Sequence, residues 1–108
     1  MADALVVDIY QRTSGFPVEE RYGLQAQVRR AAVSVPTNIV EGCARRTTRD
    51  YVQFLAVALG SASEVRYLLD VALRLGFLGQ ADHDVLEPRY DETVRALQGL
   101  IQSLDARS

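Results

Sequence analysis

Between Thr47 and Gly76 the residues Tyr51, Leu55, Ala58, Ala62, Val65, Leu69 and Ala72 recur at steps of four and three. Only an α-helix brings such a series onto one side. Thr47 or Thr48 offers an N-cap, Asp50 falls in the positive first turn, and Gly76 stops the helix. A helix of about 28 residues is a rod about 42 Å long at ~1.5 Å per residue. A rod with one apolar face has to be covered, so the rest of the chain must supply helices that pack along it.

Three further segments carry the same periodicity, and none shows the strict alternation of a strand, so the chain is expected to be all-α. The first helix is read over Asp3–Arg12, with Leu5, Ile9, Val6 and Tyr10 on one side, and is ended by the turn residues Ser14 to Pro17. The second is read from Val18 to Ala44 through Leu24, Val28, Ala32, Val35 and Ile39; Pro36 predicts a kink near Ala32 or a restart capped by Ser34. The fourth is read from an N-cap at Asp82, with Tyr90, Val94, Leu97, Ile101 and Leu104 as its seam. Pro88 suggests that its regular part begins only near Glu87, with residues 83–86 as a separate turn. Short connections make consecutive helices antiparallel, which predicts an up-down-up-down four-helix bundle. At 108 residues, with no linker, repeat or low-complexity tract, residues 1–108 form one expected domain.

The second helix carries a polar stripe. Ser34, Asn38, Glu41 and Arg45 share one of its faces. Buried unpaired, each would cost roughly 1–3 kcal/mol, so a second helix, a second subunit or a ligand must satisfy them. Counting outward from the turn near Arg46 sets Gly60 and Ser61 opposite Val33 and Ala32, and Glu64 opposite Arg29 and Arg30, which predicts a Glu64 ion pair with Arg30 or Arg29. Gly42 and Gly60 lie within helices, where each costs about 1 kcal/mol and needs a packing reason. Glu41 is expected to pair with Arg45 four residues on.

The formal charge of -2 conceals an asymmetry: Arg21–Arg49 holds six arginines and one acid, Glu41, for +5, and the remainder is −7. All twelve basic residues are arginine, a side chain whose planar fork suits carboxylates and phosphates. Catalytic chemistry has little to work with. The one histidine, His83, sits among acids at the start of the fourth helix, and the one cysteine, Cys43, is read as a buried filler. One histidine and one cysteine assemble no Ser-His-acid triad, Cys-His pair or histidine metal cluster, and no glycine loop cradles a phosphate. We therefore expect no enzyme, no cofactor and no metal. No apolar run approaches the ~18 residues of a membrane span, and the N-terminus lacks a basic start, so a cytoplasmic protein is expected.

Taken in order, Ser34-Val-Pro36-Thr-Asn38-Ile39-Val-Glu41-Gly42, then Arg45, then Gly60-Ser61-Ala-Ser-Glu64 in a long helix ending Leu73-Arg-Leu-Gly-Phe-Leu78, closely resemble the bacterial four-helix bundle family. That family is also called the 23S ribosomal RNA intervening-sequence protein, or S23, family. The upstream run from Pro17 to Ala32 is similar to it as well, so the resemblance covers about Tyr10 to Leu78. The chain departs from it in a short first helix and in Pro88. The resemblance implies a four-helix bundle that assembles with itself, typically as a homopentamer, and no enzymatic activity.

Three readings follow. The leading one is a non-enzymatic homo-oligomer whose packing is organised by Ser34, Pro36, Asn38, Glu41, Gly42 and Arg45 on the second helix and Gly60, Ser61 and Glu64 on the third. An alternative is association with RNA, or with a protein that processes nucleic acid, through Arg29, Arg30, Arg45, Arg46 and Arg49. The last is a small-molecule site built around Glu41 and Glu64.

Overall fold

The computed structural model describes residues 2–107, with side chains through residue 106. Helix α1 spans Ala2–Arg12, α2 Leu24–Cys43, α3 Thr48–Arg74 and α4 Gln80–Arg107, and a short 3-10 turn occupies Val18–Glu20. The helices run alternately down and up. Each packs on its two neighbours, with α1 closing the square against α2 and α4. The result is an up-down-up-down four-helix bundle, 46 × 23 × 19 Å.

The ends of α3 follow from its sequence. The Asp50 amide donates to Thr47 Oγ1 at 3.1 Å, a side-chain N-cap. At the other end Gly76 takes φ +79°. There the Phe77 amide bonds the Ala72 carbonyl at 2.9 Å and the Gly76 amide bonds Leu73 at 3.1 Å, the paired bonds of a Schellman turn that glycine makes cheap.

Three boundaries differ from the sequence expectation. Helix α2 begins at Leu24, not Val18. The chain breaks at Gly23, where a Cβ would lie 2.8 Å from Glu20 Oε1, and that same carboxylate oxygen accepts the Leu24 amide at 3.0 Å. Glycine thus admits the acid that caps the helix. Pro36 causes no restart: α2 is continuous to Cys43, and Ser34 turns its hydroxyl to α3 instead of capping. Helix α4 likewise runs through Pro88 from Gln80, so Asp82 stands in the first turn and the proposed separate turn at 83–86 is part of the helix. Pro88 is exposed, so the carbonyl that it leaves without an amide donor borders solvent.

The core divides along the bundle axis. The larger part joins all four helices through Ile9, Val28, Val35, Val65, Leu69, Leu86 and Tyr90. The smaller part comprises Leu55, Ala58 and Leu97, with Ile39, Tyr51, Ile101 and Leu104 against them. These residues belong to α2, α3 and α4 alone. Helix α1 has 11 residues against 28 in α4, about 17 Å against about 42 Å, so it covers one end of the bundle only.

Candidate functional site

The polar stripe is resolved inside the chain at one end and on the surface at the other. Ser34 Oγ and Ser61 Oγ lie 2.8 Å apart across α2 and α3. Asn38 Nδ2 donates to the Ser34 carbonyl at 2.8 Å and to its Oγ at 2.9 Å. Glu41 and Arg45 pair with each other on the exposed side, and the Arg45 guanidinium sits 4.9 Å over the Phe54 ring. Every residue of the stripe therefore has a polar partner within one chain.

The two glycines part company. Gly42 is buried, and a Cβ there would lie 2.9 Å from Tyr51 Cδ1 and 3.0 Å from Phe54 Cβ; it permits the close approach of α2 to the start of α3. Gly60 is exposed, with nothing within 4 Å of its Cβ direction, so the packing reason expected of it is absent among the described residues. Glu64 and Arg30 are both exposed and form no ion pair among the described residues. Arg29 is turned the other way: Nε donates to Thr13 Oγ1 at 3.1 Å and Nη2 to the Tyr10 carbonyl at 3.0 Å. Its guanidinium also lies 4.5 Å over the Tyr10 ring. Arg29 thereby supplies donors to the carbonyl end of α1, and the predicted pair with Glu64 does not form.

Cys43 is exposed, not buried; the filler at this turn is the neighbouring Gly42. Burial, with the adjacent Cys43, pushes the Tyr51 phenol above its ordinary value. His83 lies 2.7 Å from Asp70 Oδ1 on α3, and Arg12 reaches Asp82 at 2.7 Å. Periodicity does not reveal such links, nor the pairing of Arg66 on α3 with Glu87 at 2.6 Å and Asp91 at 3.1 Å on α4. Among the described residues no group of three or more His, Cys, Asp or Glu side chains is placed to hold a metal ion. The described helices include none long and apolar enough to cross a membrane.

Two surfaces remain. The five candidate arginines do not make one face: Arg29 and Arg30 lie on α2 beside α1, whereas Arg45, Arg46 and Arg49 lie 15 or more residues further along the chain, around the α2–α3 turn. The second surface is an apolar groove of about 340 Å³ between α2 and α4, beginning at Ala2 and Asp3 and walled by Pro36, Ile39, Val40, Ala96, Leu97 and Leu100. It continues the line of α1 over the three-helix part of the core. Val40 is 70% exposed there.

This is a four-helix bundle whose polar stripe ties α2 to α3. The sequence pattern of the 23S rRNA-intervening sequence protein family matches residues 1–99, and the chain belongs to that family. Its fold is similar to that of a protein of unknown function from the S23 ribosomal protein family of Bacteroides thetaiotaomicron. The two share 20% identity at a TM-score of 0.85 over 93% of this chain and 94% of the other. No curated protein matches the sequence.

Proposed function

We propose that the chain works in the cytoplasm as a non-enzymatic, self-assembling bundle, a homo-oligomer and, as the family resemblance implies, a ring of five. The observation that supports this is the open groove above α1. Its floor is the smaller core cluster, built from three helices, and its walls are Pro36, Ile39, Val40, Ala96, Leu97 and Leu100. An apolar surface of this kind is stabilised when a second copy covers it, since burying apolar area contributes about 25 cal/mol per Å².

Size-exclusion chromatography with light scattering tests the reading. The wild-type chain should elute as an oligomer, and Val40→Glu or Leu100→Glu should lower the mass to that of a monomer with helical circular dichroism retained. A wild-type monomer at tens of micromolar would overturn it.

A further inference from the structure

A second concavity, of about 700 Å³, lies on a different face of α2, between that helix, the end of α1 and the turn before Leu24. Tyr22 follows Arg21 in the sequence, and the fold adds Tyr10 to the same wall. Arg21, Arg29 and Arg30 line the cleft with Tyr10 and Tyr22, and no acidic residue is among its walls. Arg21 and Arg30 have no ion-pair partner among the described residues. Arg29 is held by Thr13 and Tyr10 through Nε and Nη2, which leaves Nη1 directed by a rigid fork. Tyr22 is 89% exposed and so contributes little to the core.

We propose that this cleft binds single-stranded nucleic acid, with phosphates on Arg21, Arg30 and the free edge of Arg29 and a base stacked on Tyr22. Unpaired guanidinium groups beside exposed aromatic rings are the two components of such a surface: charge follows the backbone, and every base offers a π-face. Gln25 and Asn38 along the same wall have amide donors held by Thr13 and Ser34, which leaves their carbonyl oxygens to accept from base edges. The cleft is open along its length, whereas a small-molecule pocket encloses most of its ligand. A duplex would keep its base faces stacked away from Tyr22. An acidic protein segment would use the arginines and leave the tyrosine idle.

The test is fluorescence anisotropy with an end-labelled 12-nucleotide RNA of mixed sequence, from 50 to 200 mM salt, on the full chain. Three phosphate contacts give a log–log salt slope of about −2, a loss of roughly 15- to 20-fold in affinity over that range. Arg30→Ala should bring the slope to about −1.4. Tyr22→Ala should weaken binding about tenfold with the slope unchanged. Arg46→Ala with Arg49→Ala should change neither. All these side chains are exposed, and circular dichroism checks that each variant folds. No binding at 50 mM salt, an unaltered affinity in Tyr22→Ala, an equal loss in the Arg46/Arg49 variant, or full competition by AMP alone would each overturn the proposal. So would a fall in oligomer mass in Arg21→Ala, which would give the cleft to a second copy. Because the cleft and the groove use different side chains, light scattering on the same samples tells a failed RNA site from a failed assembly.

Discussion

Two glycines in neighbouring helices should respond to the same substitution with opposite sign. At Gly42 a new methyl would meet Tyr51 Cδ1 at 2.9 Å and Phe54 Cβ at 3.0 Å, well inside the 3.5–4.0 Å of a comfortable carbon contact. The tyrosine ring can swing, but Phe54 Cβ moves only with the α3 backbone. Overpacking of this kind costs about 1–3 kcal/mol, offset by up to about 1 kcal/mol of helix propensity, and the offset is smaller because Gly42 lies in the last turn of α2. Gly42→Ala should therefore lose about 1–2 kcal/mol. At Gly60 nothing lies within 4 Å and the residue is mid-helix and exposed, so Gly60→Ala should gain about 0.5–1 kcal/mol. Near Tm, 1 kcal/mol corresponds to about 4–8 °C for a domain of this size. Thermal melts at one fixed protein concentration should thus place the two variants on opposite sides of the wild type. A Gly42→Ala variant that melts higher than wild type would show that α2 and α3 separate freely there, and a Gly60→Ala variant that melts lower would put Gly60 against a surface outside the chain.

Tyr90 should impose an alkaline limit on stability. Its ring is buried and its hydroxyl has no hydrogen-bond partner among the described residues; burial first, then the nearby Asp8 carboxylate, raise its pKa above the ordinary 10.0. The folded chain then holds the phenol proton more tightly than the unfolded chain, so this contribution is intact below pH 10 and is lost as pH rises from there towards the folded-state value. In denaturant titrations Tyr90→Phe should remove much of that decline and, at pH 7, be neutral or stabilising by about 1 kcal/mol; a loss greater than that at pH 7 would mean the hydroxyl is satisfied. The Ser34–Ser61 contact should cost about 0.5–1.5 kcal/mol when either hydroxyl is removed. A double-mutant cycle to alanine should leave a coupling of about 0.5–1 kcal/mol, and strict additivity would show that the two hydroxyls do not interact.

How much of this architecture was legible in the sequence depends on the range over which each signal acts. The seam of α3 and the caps at Thr47 and Gly76 are local, and they specify element, face and ends together. The stripe on α2 was legible as a line of side chains needing partners, and Glu41 with Arg45 is a pair set by helical spacing alone. Counting residues from the turn set Ser61 against α2 but opposite Ala32, two residues from Ser34, with which it bonds. The same count failed for Arg29 and Glu64 because it treats helices as rods with no other neighbours. The carbonyl end of α1 lies beside Arg29 and offers two acceptors and an aromatic face at once, more than one exposed carboxylate provides. Proline rules also overshot in predicting a restart at Pro36 and a late start at Pro88, where one missing amide costs less than breaking a packed helix.

What no periodicity reveals is the shape left between helices of unequal length. Among the described residues α2 and α4 bound an apolar groove beyond Ala2, and Ile39 and Leu97, which face it, read in sequence as ordinary core. Helix α1 ends where α2 begins, and this juxtaposition sets Tyr10 beside Arg29 and opens the cleft that Arg21, Tyr22 and Arg30 share. The two surfaces on which interaction is proposed therefore lie at the two ends of α1. Extending cover over the groove and closing the cleft are separate events at its two ends, so a variant that alters one surface should leave the other intact.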